Sequence, residues 1–196
     1  MRVVIIPEDF RNDQYILKLL VEAMLTAAGR PRALVTVCRD PVIRGVDQAL
    51  DRDVLAQILE RYSGMTDLFL LCVDRDGVAS RRHALEALEV HAAGLLNPGQ
   101  VLLGENAWQE LEVWILAGQI DLSWDWKAIR AEVHPKEKYY GPYAHRRGVS
   151  EQVGGGRKIL AEEAARRYQR VRSLCPEDVQ RLEARITRWI QSTHLP

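Results

Sequence analysis

Three carboxylates that follow apolar runs are the residues best suited to chemistry. Asp74 and Asp76 come at the end of the run that begins at Leu68, and Glu8 directly follows the β-branched run 2–7. If both runs are parallel strands, their carboxyl ends meet at one edge of a sheet. Carboxylates that converge there oppose one another's ionisation, and a bound Mg²⁺ or Mn²⁺ relieves that conflict. The pattern predicts a divalent-metal site, although the same two aspartates would also suit a turn that they only cap and solvate.

A second acidic group lies further along the chain, at Glu105, Glu110 and Glu112. We predict that Glu105 ends a fourth strand, so that it reaches the same edge and contributes to the metal site. Glu110 and Glu112 are two residues apart on a predicted helix and therefore point in different directions. Glu112 lies one turn from Trp108, and a partly buried carboxylate needs a partner or a metal. We therefore take Glu105 and Glu112 as further candidate metal ligands, while an ordinary surface helix with core tryptophans remains the alternative.

The formal net charge is zero, but its distribution is uneven. Residues 1–125 carry 12 Lys and Arg against 19 Asp and Glu, whereas residues 126–172 carry 12 against 5. An acidic part beside a basic part suits a metal site next to a phosphate-contacting surface. The candidate nucleic-acid contacts are Lys136, Lys138, Arg157 and Lys158. The alternative is that these residues solvate helix faces and that glycines 154–156 form a flexible linker.

The elements that must position these residues follow from the apolar pattern. Strands are predicted at 2–6, 33–38, 67–74 and 100–103, and helices between them at 13–27, 54–62 and 81–93. Alternation of strand and helix predicts an α/β fold with a parallel four-stranded sheet and helices on both faces. Only helices are predicted afterwards, at 107–117, 127–133, 157–174 and 176–191. We expect an α/β core at 1–118 and a helical, partly basic C-terminal extension at 119–196 that packs on the core.

The composition excludes several classes of protein. Hydrophobic residues make up 47% of the chain and charged residues 28%, values that are typical of a globular protein with a sizeable core. No apolar run approaches the length of a membrane span, and the N-terminal run is too short for a signal peptide. The three cysteines have no zinc-type spacing. We expect a cytoplasmic protein without a membrane partner.

The residues around the first three carboxylates resemble the Toprim domain. The matching segments are IIPEDF, which contains Glu8, and LLCVDRD, which contains Asp74 and Asp76. The later segments GENAWQELEVWILAG and GGGRKILAEEAA resemble small prokaryotic Toprim-like proteins that are related to OLD-type nucleases and are often encoded next to ATPases. The resemblance implies that Asp74 and Asp76 hold Mg²⁺, that Glu8 takes part in acid–base chemistry, and that an ATPase is a partner.

Three functions are consistent with these residues. The first is a Mg²⁺-dependent nuclease that acts on DNA or RNA. The second is a non-catalytic interaction subunit of an ATPase-containing complex, and the third is a metal-dependent phosphohydrolase that acts on a small molecule. An open basic groove would favour the first, a large apolar surface patch the second, and a deep narrow pocket the third.

Overall fold

A computed structural model describes residues 1–193 and confirms the predicted α/β class. The four strands, in chain order, are β1 (Arg2–Pro7), β2 (Leu34–Val37), β3 (Leu68–Asp74) and β4 (Val101–Ala107). They form one sheet in the order β2-β1-β3-β4, and every neighbouring pair is parallel. The predicted segment 33–38 therefore lies in the sheet, as an edge strand beside β1.

The longer helices cover both faces of the sheet. In chain order the helices are α1 (Phe10–Ala27), α2 (Val46–Ala49), α3 (Arg52–Tyr62), α4 (Arg81–Ala93), α5 (Glu112–Ala117), α6 (Trp126–Ala131), α7 (Gly141–Arg146), α8 (Arg157–Arg166), α9 (Tyr168–Leu174) and α10 (Arg181–Thr193). Short π-helical turns at Lys136–Tyr140 and Pro176–Gln180 precede α7 and α10. No helix within residues 1–193 is long and apolar enough to cross a membrane.

Each face of the sheet has its own hydrophobic core. Alternate residues of β1 point to opposite faces, so Ile5 packs with α1 while Ile6 packs with α3 and α4. The core on the α1 side also contains Leu160 of α8 and Ile186 of α10. The C-terminal helices thus complete the core on that face, whereas the division at residue 118 remains a prediction.

Gly118 shows how closely the C-terminal helices approach the rest of the chain. It follows the last residue of α5. A β-carbon added there would lie 2.3 Å from the α-carbon of Ala164 in α8. Because no real β-carbon fits at that distance, only glycine allows α5 and α8 to pack directly on each other.

Several predicted boundaries are wrong. β4 continues to Ala107 because it pairs with β3 as far as Asp74, so the predicted helix at 107–117 begins only at Glu112. The first helix begins at Phe10 rather than at Asp13, and the carboxylate of Asp9 caps it by accepting from the Arg11 N–H. The predicted helix 157–174 is interrupted at Arg167, which separates α8 from α9.

Candidate functional site

The carboxyl edge of the sheet brings Glu8 and Asp74 into direct contact. The backbone N–H of Asp74 donates to Glu8 Oε2 at 3.0 Å. The backbone N–H of Glu8 in turn donates to the carbonyl of Cys72 at 3.2 Å, which continues the pairing of β1 with β3. Asp74 Oδ1 accepts from the Leu111 N–H at 2.9 Å. Backbone hydrogen bonds therefore hold both carboxylates at this edge of the sheet.

Asp76 lies on an exposed turn directly after β3. The carbonyl oxygen of Gln109 accepts from the N–H groups of Arg75 at 2.7 Å and Asp76 at 3.1 Å, and its side chain accepts from Gly77 at 2.9 Å. Asp76 has φ 51°, a left-handed conformation that aspartate tolerates better than most residues. The turn is thus held against the loop after β4. The charge of Asp76 is close enough to Glu8 to help raise the Glu8 pKa, although burial contributes most to that rise.

Asp13 is a third carboxylate at this edge, and it is not among the site residues predicted from the sequence. Its Oδ2 accepts from the Asp9 N–H at 2.8 Å. Burial raises the pKa of Asp13 to about 7, with a further contribution from the charge of Glu112. A signal was present in the sequence, because Asp13 precedes Ile16 and Leu17 by three and four residues and so lies on the buried stripe of α1.

The environment of Asp74 favours its protonated form. Burial raises the pKa of Asp74 well above its usual value, and the neighbouring charges of Glu112, Asp13 and Glu8 raise it further. The hydrogen bond from Leu111 opposes this rise but contributes less. Glu8, Asp13, Asp74 and Glu112 therefore lie close together in a largely buried region, and the charge of each disfavours ionisation of the others. A nearby cation would stabilise their ionised forms.

Arg157 supplies one such cation, and this placement corrects its predicted role. Its Nε donates to Glu112 Oε1 at 2.9 Å, and its Nη2 forms an ion pair with the same oxygen. Arg157 is 8% exposed and Glu112 is 4% exposed. The expectation that Arg157 lies on a phosphate-contacting surface is therefore wrong, and Glu112 has an arginine partner where a metal was expected.

The glycines that precede Arg157 form a turn of defined conformation rather than a flexible linker. Gly154, Gly155 and Gly156 have φ values of 66°, 64° and 81°, which side chains with a β-carbon rarely adopt. A β-carbon on Gly154 would lie 2.6 Å from the ring of Tyr15. The carbonyl of Gly154 accepts from Arg157 Nη1 at 2.8 Å, so the turn directs the guanidinium inward.

Glu105 is also neutralised by arginines, and its predicted place at a strand end is wrong. It lies inside β4, opposite Cys72, and is fully buried. Arg181 forms an ion pair with it and donates from Nε to Oε2 at 3.2 Å, and Arg82 donates to Oε1 at 3.4 Å. Burial raises the pKa of Glu105, and these arginines oppose the rise. The ion pairs satisfy Glu105 without a metal.

The remaining predicted nucleic-acid contacts are exposed. Lys136, Lys138 and Lys158 all lie on the surface, and Lys138 forms an ion pair with Glu132. The N–H of Lys136 donates to Glu110 Oε2 at 2.7 Å. Glu110 is buried, which raises its pKa to about 7.

Arg81 is a second residue at this edge that was not predicted from the sequence. It begins α4 directly after the turn that contains Asp76, and its positive charge lowers the pKa of Glu8 against the larger effect of burial. Its Nε is buried and has no hydrogen-bond partner among residues 1–193. This buried donor therefore remains unsatisfied close to Glu8. The signal in the sequence was its position, because the turn after a strand commonly leads into a helix whose first residues face the sheet edge.

Comparisons with protein-family models, curated proteins and solved structures found no match to this chain. The class of the protein is thus defined by its own fold and site. It is an α/β protein with a four-stranded parallel sheet and a group of carboxylates at the carboxyl edge of that sheet.

Proposed function

We propose that this protein is a Toprim-like, metal-dependent hydrolase that cleaves phosphodiester bonds in DNA or RNA. The observation that carries the proposal is the direct contact of Glu8 with Asp74 at the carboxyl edge, with Asp76 beside them. This is the group of three residues on which the resemblance to Toprim domains rests. We propose the cytoplasm as the place of action, since nucleic-acid substrates occur there.

The donor set fits Mg²⁺ or Mn²⁺, which prefer oxygen ligands. The hydrogen bonds that fix Glu8 and Asp74 use Oε2 of the first and Oδ1 of the second, so each retains a second carboxylate oxygen. Asp76 is exposed and adds a third carboxylate. Glu105 and Glu112 are left out of the proposed ligand set because arginines neutralise them.

The protein groups have separate roles in this proposal. Asp74 and Asp76 hold the metal, which when bound would stabilise negative charge on a phosphodiester and activate water. Glu8 transfers a proton, a role that suits a carboxyl group whose pKa is raised by burial. Arg81 lies close enough to Glu8 to lower the Glu8 pKa, and its positive charge would attract a phosphate group to the edge.

A groove beside the edge is suited to a nucleic-acid strand. It is lined by Trp108, Trp126, Lys127 and Arg130, and it reaches Gln109, whose carbonyl holds the turn that contains Asp76. The guanidinium of Arg75 stacks on Trp108, with its central carbon 4.0 Å from the ring centroid. Aromatic and cationic side chains together bind bases and phosphates. This open groove favours a polymer substrate over the small phosphorylated molecule that the sequence also allowed.

Cleavage of single- and double-stranded DNA and RNA, with Mg²⁺ or Mn²⁺ and with chelator, tests the proposal. Asp74→Asn should abolish cleavage, because an amide replaces a charged ligand at nearly the same volume. Asp76→Asn should do the same, and its exposed position leaves the fold intact. Asp47→Asn, an exposed substitution on α2, is the matched control and should retain full activity.

The assay also separates the alternative functions. Cleavage that persists in Asp74→Asn would contradict the proposed site. If the wild-type protein binds no divalent cation at millimolar concentration, the interaction-subunit function becomes the better hypothesis. We propose an ATPase as the partner, so the assay is repeated with an ATPase encoded beside the gene, where one is present.

A further inference from the structure

Glu110 differs from most of the buried acids in having no arginine partner. Glu105, Glu112 and Asp178 are buried, and each forms a salt bridge with an arginine. Glu110 is only 6% exposed, and among residues 1–193 no basic side chain forms a salt bridge with it. Burying a carboxylate without a compensating cation costs free energy, so other groups close to Glu110 are expected to offset that cost.

Those surroundings contain two further metal-binding groups. One ligand atom from each of Glu110, His134 and Glu137 lies within 4.8 Å of the other two. His134 and Glu137 are three residues apart in the chain, a spacing that places two side chains on one side of a helical turn. Glu110 comes from the loop between β4 and α5. The N–H of Lys136 donates to Glu110 Oε2 at 2.7 Å, which fixes the turn against this loop.

We propose that Glu110, His134 and Glu137 form a binding site for a borderline divalent cation such as Zn²⁺, Mn²⁺ or Co²⁺. An imidazole among the ligands favours these ions over Mg²⁺. Metal-bound nitrogen and oxygen atoms lie about 2.0–2.2 Å from the ion, so neighbouring ligand atoms are about 3–3.5 Å apart, and rotations of the side chains would complete the site. His134 and Glu137 are exposed and free to make them.

The charges around the site agree with this assignment. Burial raises the pKa of Glu110 to about 7, and the nearby charges of Glu112 and Glu137 add to the rise. Lys136 lowers the pKa of Glu110, but by less than burial raises it. A bound cation would balance Glu110 and Glu137 together, and it would join the π-helical turn to the loop after β4. The three protein ligands leave coordination positions open to water or an anion.

The site does not depend on the proposed nuclease function. It adjoins the sheet edge, because the N–H of Leu111, the residue after Glu110, donates to Asp74 Oδ1. Its ligands are nevertheless different from Glu8, Asp74 and Asp76. Loss of one set of ligands can therefore be measured while the other set is intact.

The test uses Co²⁺ as a spectroscopic probe of the full chain after chelator treatment. We expect visible absorption from one equivalent of bound Co²⁺, displaced by Zn²⁺ but not by millimolar Mg²⁺. His134→Gln and Glu137→Gln should each weaken Co²⁺ binding at least 10-fold, since even loss of an outer-shell partner costs about 10–100-fold. Both positions are exposed, so these variants should fold. His145→Gln and Glu151→Gln change exposed residues of the same types elsewhere and should bind Co²⁺ like the wild type.

Asp74→Asn completes the test. Retention of the Co²⁺ spectrum in Asp74→Asn, with its loss in His134→Gln, supports the site even if no variant cleaves nucleic acid. Unchanged Co²⁺ affinity in His134→Gln overturns the proposal. Loss of all Co²⁺ binding in Asp74→Asn would also overturn it, because the ion would then be bound at the other carboxylates.

Discussion

The buried ion pair between Arg157 and Glu112 gives a measurable prediction. Arg157→Met removes the cation, keeps most of the side-chain volume and leaves Glu112 buried without its two hydrogen bonds from the guanidinium. Breaking a buried pair by removing one partner costs about 3–5 kcal/mol. For a chain of this length we therefore expect the melting temperature to fall by about 6–20 °C.

Urea unfolding followed by circular dichroism, in chelator at neutral pH, measures this loss. The control is Lys158→Met, because Lys158 is the next residue and is exposed. It should change the free energy of unfolding by no more than about 0.5 kcal/mol. Glu112→Gln combined with Arg157→Met should be more stable than the sum of the single losses predicts, because the double variant leaves no unpaired charge.

Two results would refute this reasoning. Arg157→Met could be no less stable than Lys158→Met, which would show that the pair contributes nothing to the fold. Alternatively, Arg157→Met could unfold like the wild type yet bind nucleic acid with a smaller salt dependence. That outcome would indicate that Arg157 contacts a phosphate of the nucleic acid, because each such contact releases counterions from the nucleic acid.

Further predictions concern packing, pH and the other buried acids. Gly118→Ala should destabilise the fold by about 1–3 kcal/mol in urea unfolding, because its β-carbon would overlap Ala164. The control is Gly64→Ala, whose β-carbon would meet no atom of residues 1–193 within 4 Å. The folded-state pKa of Asp13, about 7, lies above its unfolded value, so metal-free protein should lose stability as pH rises from about 4 to about 7. In Asp13→Asn this pH-dependent loss of stability should be smaller by on the order of 2–4 kcal/mol. If the wild type and Asp13→Asn lose stability equally as pH rises, the raised pKa does not belong to Asp13. Glu105→Gln should lower stability but leave Mg²⁺ affinity in calorimetry unchanged, whereas weaker Mg²⁺ binding would restore Glu105 as a ligand.

The local pattern of the sequence was sufficient to predict the sheet. The apolar run of β3 and the β-branched run of β1 each indicated a buried strand, and the rule for parallel strands placed Glu8 beside Asp74. The same reasoning failed at β4, because Gly104 and Glu105 look like the end of a strand. The sequence alone gave no sign that arginines would allow a charged residue to lie inside the sheet.

The partners of the buried acids could not be predicted because they are distant in the chain. Arg157 is 45 residues from Glu112, and Arg181 is 76 residues from Glu105. Local periodicity indicates which face of an element is buried but not which distant side chain meets it there. The position of Arg157 further depends on a turn of three left-handed glycines, which composition alone suggested was a flexible linker.

The uneven charge of the chain has a different meaning once these pairs are known. Arg130, Arg147 and Arg157 belong to the basic region 126–172, and each forms a salt bridge with a buried or half-buried acid. Part of the excess positive charge therefore neutralises carboxylates of the protein itself. Among the buried and half-buried acids of residues 1–193 that approach the carboxyl edge, Glu8, Asp13, Asp74 and Glu110 have no such salt bridge. The fold thus forms salt bridges from arginines to Glu105 and Glu112 but not to these four carboxylates, whose ionised forms a divalent cation at the edge would stabilise.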